Sequence, residues 1–185
     1  MRIIDLASCE KVVRDQAATL LVEYFDSEPK PWPTTGAASE EIARILRDGF
    51  ARGALEGELL LGWIGGLADY DGRVCELHPV VTRRDFRRRG VGRALVGALE
   101  AEAARRGALT VTLGTDDVAD ETSLSGVDLY TNVARHIAET RDLGRGHPFL
   151  FYLSLGYVIT GVLPDANGLG KPDIFMSKRV GVSTQ

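Results

Sequence analysis

An arginine- and glycine-rich segment in the middle of the chain has the residue types needed to hold a pyrophosphate without a metal ion. Its sequence is Arg87-Arg88-Arg89-Gly90-Val91-Gly92-Arg93-Ala94. An apolar run typical of a strand precedes it, and apolar residues at the spacing of a helix follow it. The first turn of a helix offers unpaired N–H groups and the positive end of the dipole, and the two glycines let phosphate oxygens approach. The Walker and dinucleotide patterns fit poorly, because Gly-Lys-Ser/Thr and a third small residue are missing. The spacing therefore predicts a phosphate-binding strand, turn and helix.

Two proton-accepting residues precede this segment on the same predicted strand. Glu76 and His78 are two positions apart, so an extended backbone places their side chains on one face. A glutamate near a cleft floor has its pKa raised by burial, and a histidine titrates near neutrality. The alternatives left open are a Glu76 paired with an arginine and a His78 satisfied within the core.

The elements that would position these residues alternate between strand and helix patterns. The predicted order is a strand at 2–6, a helix from a Ser8 cap to about Phe25, a helix from Ser39 to near Gly53, strands at 54–56, 59–68 and 74–82, the helix after the glycines, a strand at 109–115, a short helix beginning near His147 and Pro148, and a final hairpin of 157–163 and 174–179. The fold class is α/β, with a parallel crossover through the helix that follows the glycines.

Composition restricts the class of protein. A chain of 185 residues with 44% hydrophobic residues can bury one core, so residues 1–185 are predicted to form a single domain. The absence of a long apolar run and of a signal-peptide pattern predicts a cytoplasmic protein with no membrane partner. A net charge of −4 disfavours nucleic acid as a partner. Isolated Cys9 and Cys75 predict neither a disulfide framework nor a metal site.

The glycine segment resembles the Arg/Gln-x-x-Gly-x-Gly/Ala pyrophosphate loop of the GNAT N-acetyltransferases. Two further segments agree in order: Val80-Val81-Thr82, at the place of the strand that meets the pantetheine arm, and Phe151 to Tyr157, similar to the terminal Tyr-x-x-x-Gly-Phe/Tyr segment. The resemblance implies a mixed central sheet of about seven strands flanked by helices and acetyl-CoA as co-substrate. The residues expected to bind it are Val80, Val81, Thr82, Arg87, Arg88, Arg89, Gly90, Val91, Gly92 and Arg93.

The resemblance also implies roles in acetyl transfer. Tyr152 lies where the family has a tyrosine that donates its hydroxyl to the departing sulfur. Glu76 matches the position of the general-base glutamate of histone-type members, and Glu76 and His78 match the histidine pair of serotonin-type members. Arg145 stands where many members have asparagine, so contacts around the pantetheine are expected to differ.

About thirty residues, 116–146, are inserted relative to a minimal domain of this family, before the last helix and the terminal hairpin. A helix from Gly126 to Arg141 is predicted, with Val127, Tyr130, Val133, Ala134 and Ile137 facing inward. The insertion is interpreted either as a wall of the substrate site or as a dimerisation or packing element. A homodimer is therefore left open.

The predicted substrate is a small cationic amine. Carboxylates near the expected cleft could pair with its ammonium groups, and the predicted contact residues are Asp116, Asp117, Glu23, Asp26 and Trp32. Over about residues 20–180 the chain resembles a bacterial subgroup labelled aminoglycoside 6′-N-acetyltransferase, which favours an aminoglycoside or a polyamine. A peptide or protein N-acetyltransferase and a non-catalytic acyl-CoA-binding module are the alternatives.

Overall fold

The computed structural model describes residues 1–25 and 30–181. The strands are β1 (Arg2–Asp5), β2 (Gly49–Glu56), β3 (Leu59–Asp69), β4 (Val74–Thr82), β5 (Thr110–Asp116), β6 (Val158–Leu163) and β7 (Asp173–Arg179). The helices are α1 (Lys11–Tyr24), α2 (Thr35–Asp48), α3 (Val91–Arg105), α4 (Val133–Ala138) and α5 (Phe149–Leu153). The strands are hydrogen-bonded in the order β1-β2-β3-β4-β5-β7-β6. The α/β class with a mixed sheet of seven strands flanked by helices is therefore confirmed.

The chain divides into two compact units, residues 1–111 with the C-terminal segment from Val180, and residues 112–179. In the first unit, neighbouring residues of β3 show that helices cover both faces of the antiparallel strands β2 to β4. Trp63 is fully buried and its indole N–H donates to Ala17 O of α1 at 3.0 Å. A side chain added at Gly62 would meet Leu95 of α3 instead. Since successive strand residues point to opposite faces, α1 and α3 lie on opposite sides of β3.

Two helix boundaries differ from the sequence prediction. Ser8 ends a 3₁₀ turn that Asp5 caps, and α1 begins only after Glu10, which makes no side-chain cap. Helix α2 begins at Thr35, because the Thr34 hydroxyl accepts from Ala37 N at 3.2 Å. It ends at Asp48, and the chain continues as β2 paired to β3, so residues 49–53 are strand rather than helix.

Strand β4 has the bounds that the sequence predicts and a β-bulge inside them. Ile64 of β3 is opposite Val80, whereas Gly66 is opposite Leu77, so two residues, 78 and 79, face one. Because of the bulge, residues of β4 an even number of positions apart across it point to opposite faces of the sheet. Cys75 and Val81 are both buried, yet Cys75 lies beside Phe50, whereas Val81 belongs to the core cluster formed with α1 and α2.

The second unit contains the insertion, and the prediction of a long helix there is wrong. Helix α4 spans only six residues, Val133–Ala138. Tyr130 and Val133 are exposed, and the buried apolar residues of the insertion are Leu124 and Leu129. The physical reason is that aspartates bind the local backbone, which competes with helix formation. Within the predicted helix, Asp128 accepts a hydrogen bond from Tyr130 N at 3.1 Å, and Asn132 has a left-handed conformation with φ = 50°.

No helix among residues 1–25 and 30–181 combines the length and the apolar character that a membrane span requires.

Candidate active site

The glycine-rich segment forms a loop that ends in a helix N-terminus. Gly90 is the N-cap of α3 and has φ = 82°, a left-handed conformation that suits glycine, and it contributes no side-chain cap. The first-turn N–H groups that follow it lie at the positive end of a 15-residue helix. Arg87, Arg88 and Arg89 are exposed beside this end. The arrangement fits a bound pyrophosphate.

The strand residues that lead to the loop are only partly accessible through their side chains. Val81 is buried, and Val80 and Thr82 are half-buried. One backbone edge of the three residues pairs with Ile64, Trp63 and Gly62 of β3. A ligand that follows this strand would therefore be held through main-chain groups more than through side chains.

His78 is held by a carboxylate of α2. The distance from His78 Nε2 to Glu41 Oε1 is 3.2 Å, and Arg44 donates to both Glu41 oxygens at 2.7 and 2.9 Å. The Trp32 ring lies 5.8 Å from the His78 ring. The Arg44 hydrogen bonds lower the pKa of Glu41 against the opposing effect of burial, and the charge of His78 adds to the lowering. Glu41 is therefore ionised at neutral pH.

Glu76 is exposed on β4, and its charge acts on Arg44 of α2. The pKa of Arg44 is raised chiefly by its hydrogen bonds to Glu41, and the charge of Glu76 adds to the increase. The structure thus brings Glu76, His78 and Trp32 to one group with Glu41 and Arg44, all within the first unit.

Tyr152 lies on α5, which follows His147 and Pro148 as the sequence predicts. Its side chain is 6% exposed and packs edge-on against Phe151 and Tyr157, with centroid distances of 5.1 and 5.6 Å. The α5 end is fixed by a hydrogen bond from Tyr157 N to Tyr152 O at 3.1 Å. The buried ring and the fixed backbone restrict the orientation of the Tyr152 hydroxyl.

The two neighbouring aspartates after β5 have different environments. Asp116 is exposed and accepts from Asn167 Nδ2 at 2.7 Å. Asp117 is fully buried and accepts hydrogen bonds from Glu121 N, Thr122 N, Thr122 Oγ1 and Ser125 Oγ. Burial acts to raise the pKa of Asp117, but these hydrogen bonds outweigh it and hold that pKa below its usual range. Asp117 organises the insertion, and only Asp116 presents its charge to solvent.

Glu23 lies in a groove between the end of α1 and the loop after β4. The groove has a volume of about 610 Å³, and its lining includes Lys30 and Arg87. Arg87 also stacks on the Tyr24 ring, with its guanidinium carbon 4.9 Å from the ring centre. The surroundings of Glu23 are therefore more cationic than the sequence prediction of an amine contact assumes. Asp26 lies outside the residues that the structure describes.

One group of possible metal ligands occurs in the described residues, at Asp117, Glu121 and His147. Both ring nitrogens of His147 have partners, since Nδ1 accepts from Phe149 N at 3.2 Å and Nε2 lies 3.1 Å from Asp116 O. With Nδ1 as acceptor, Nε2 carries the proton, so the ring offers no lone pair to a cation. Asp117 and His147 instead bind the local backbone, at Thr122 N and Phe149 N.

Sequence reasoning missed Glu41 and Arg44. Their i, i+3 spacing on α2 is visible in the sequence and indicates a helix-surface ion pair. Nothing in that spacing indicates that the pair faces a residue of β4 thirty-seven positions away.

The chain is similar over its whole length to proteins of known structure. Three solved structures match over 100% of both chains: an aminoglycoside 6′-N-acetyltransferase complexed with coenzyme A (36% identity, TM-score 0.91), the aminoglycoside 6′-N-acetyltransferase from Enterococcus faecium (37%, 0.90) and an aminoglycoside 6′-acetyltransferase type Ii (32%, 0.75). A search of curated protein sequences found no significant match. The sequence model of the acetyltransferase (GNAT) family matches residues 17–130. The chain therefore belongs to the GNAT family of N-acetyltransferases, whose co-substrate is acetyl-CoA.

Proposed function

We propose that the protein transfers the acetyl group of acetyl-CoA to the 6′-amine of an aminoglycoside or a closely related polycationic amine. The observation that carries this proposal is similarity over the whole length, at 32–37% identity, to three structures of proteins named as aminoglycoside 6′-acetyltransferases. An exposed Asp116 and an overall charge of −4 also suit a cationic substrate.

In the proposed reaction the amine nitrogen attacks the thioester carbonyl carbon directly. The substrate ammonium first gives one proton to a base, and its nitrogen then forms the carbon–nitrogen bond as the carbon–sulfur bond breaks. The second proton that leaves the nitrogen balances the one that the coenzyme thiolate receives. Glu76 and His78 are the proposed acceptors of the first proton, and Tyr152 is the proposed donor to the coenzyme thiolate. The loop from Arg87 to Arg93 holds the pyrophosphate, and the backbone of Val80, Val81 and Thr82 holds the pantetheine. Trp32 is proposed to bound the amine site beside His78, from which it is separated by 5.8 Å between ring centres.

The test is release of the coenzyme thiol by the purified full chain with a panel of amines. We expect turnover with an aminoglycoside that carries a 6′-amine and none with the matched analogue that carries a 6′-hydroxyl. Mass spectrometry of the product should locate one acetyl group on the 6′-nitrogen. Turnover of both analogues would contradict the proposed position, and turnover of a peptide amine alone would contradict the proposed substrate class.

A further inference from the structure

Glu41 lies against His78 but has no part in the reaction proposed above. Its side chain is 14% exposed and that of His78 is 35% exposed, so the contact is partly shielded while the imidazole still reaches solvent. An ionised carboxylate only accepts hydrogen bonds, so His78 Nε2 must carry the proton at the 3.2 Å contact. In the neutral ring this leaves the lone pair on Nδ1.

From this contact we infer that Glu41 is a positioning residue for His78, fixing the Nε2–H tautomer so that Nδ1 takes a proton from the substrate ammonium and frees its nitrogen lone pair for attack. The inference rests on the proposed function. The ammonium N–H bond breaks, the proton bonds to Nδ1, and the resulting imidazolium is paired with the Glu41 carboxylate. The proton then leaves Nδ1 for solvent, to which the ring is accessible.

The surroundings of the pair favour this role over a purely structural one. Each partner has a further contact, since Arg44 binds both Glu41 oxygens and the Trp32 ring lies 5.8 Å from the imidazole. Glu41 contacts His78 directly, Arg44 binds the same carboxylate, and the charge of Glu76 on β4 acts on Arg44. Arg44 keeps Glu41 ionised, which preserves the acceptor that the tautomer requires.

Kinetics of Glu41→Gln distinguish positioning from structure. Glutamine keeps the shape but loses the charge and can donate as well as accept. We expect kcat to fall about tenfold, with both KM values within about twofold of wild type. The acidic limb of kcat should move to lower pH, because the imidazolium loses its anionic partner. Arg44→Gln removes a cation and should move the limb to higher pH.

Two comparisons control for indirect effects. Glu40→Gln makes the same change at the exposed neighbouring position of α2 and should leave kcat and the pH profile unchanged. The double variant Glu41→Gln/His78→Gln should be no slower than His78→Gln alone, because Glu41 acts through His78. Additive losses, or equal effects of Glu41→Gln and Arg44→Gln on the limb, would overturn the inference.

A measurement without turnover separates this inference from the proposed function. Nitrogen chemical shifts of the imidazoles report the tautomer, and His78→Gln identifies the His78 signals among the three histidines of the chain. We expect the Nε2–H form in the wild type and a mixture in Glu41→Gln. If no amine is acetylated but this change occurs, the proposed function fails and the positioning stands. An unchanged tautomer in Glu41→Gln would overturn the inference alone.

Discussion

Tyr152 combines a buried ring with a polar end, and the two parts can be separated by one substitution. The packing against Phe151 and Tyr157 fixes the ring, so Tyr152→Phe should keep the fold and the binding of acetyl-CoA. Loss of the hydroxyl removes the proposed proton donor, so turnover should fall about 100-fold or more. The measurement is kcat together with the Kd of acetyl-CoA. Tyr70→Phe at an exposed tyrosine is the matched control, and a fully active Tyr152→Phe would leave Tyr152 as a packing residue.

The contributions of Glu76 and His78 to proton transfer can be compared through the pH dependence of kcat in variants that lack each side chain. Glu76→Gln should reduce kcat about 100-fold near neutral pH, where the amine is protonated and needs a base. The deficit should shrink as the pH approaches the pKa of the amine. Glu58→Gln, an exposed glutamate in the turn between β2 and β3, is the control. His78→Gln should show the same pattern, because both side chains are proposed proton acceptors, and a deficit in only one of the two variants would assign the proton to that residue.

At the scale of elements, the N-terminus of α3 is the part of the site that can be tested without turnover. Gly92→Val should weaken coenzyme A binding at least about tenfold, because the added methyl groups fill the space of the phosphate oxygens. Stability should not fall, since valine is a better helix former than glycine. Calorimetric titration gives the Kd and thermal unfolding gives the Tm.

Gly97→Val supplies the matched control for this element. It makes the same change in the same helix at an exposed position where an added Cβ meets nothing within 4 Å. We expect its affinity for coenzyme A to equal that of the wild type. Equal weakening in both variants would show that α3 as a whole is disturbed, and no weakening in Gly92→Val would contradict the phosphate-loop assignment.

Elements with a clear alternation or a clear turn could be predicted from the sequence, and those that depend on local side-chain to backbone bonds could not. Strand β4 has its predicted bounds because a turn and an alternating run define it. The predicted helix at 126–141 is mostly irregular because the Asp128 side chain binds the backbone N–H of Tyr130 and because Asn132 has a left-handed backbone conformation. Glu41 could not be assigned to the site, because only tertiary packing brings α2 to the β4 bulge.

An ion-pair network links three elements of the first unit and should make stability depend on pH. Glu102 of α3 is 7% exposed and pairs with Arg105, Arg106 and Arg52, and Arg52 also pairs with Asp5 of β1. Hydrogen bonds from Arg105, then from Arg106, and the charge of Arg52 lower the pKa of Glu102 to about 2 against the effect of burial.

The sign of this pH dependence follows from a folded-state pKa below the ordinary value of 4.5. The stabilisation is complete above that ordinary value and is lost as the pH falls toward about 2. Glu102→Gln should lower the free energy of unfolding by about 1–2 kcal/mol at neutral pH, and the difference from wild type should vanish at the acidic end. Urea unfolding across this range measures it. Asp15→Asn, in an exposed pair with Lys11, should show little difference at any pH.

At the scale of the whole molecule, attraction of a cationic substrate depends on which carboxylates reach solvent. Asp117 does not reach solvent, so the substitution is made at the exposed Asp116. Asp116→Asn should raise the KM of a polycationic amine about threefold to tenfold and leave that of a monoamine unchanged. A polycation has an ammonium group besides the reacting one that can pair with Asp116, and a monoamine has none. Added salt should weaken the polycation's binding to the wild type and have less effect on the variant. Asp71→Asn, at an exposed turn where φ is 55° and asparagine is tolerated, is the matched control. Equal KM changes for mono- and polyamines, or a KM that does not respond to salt, would show that Asp116 is a solvated loop residue, and the substrate would then have to be recognised by other groups.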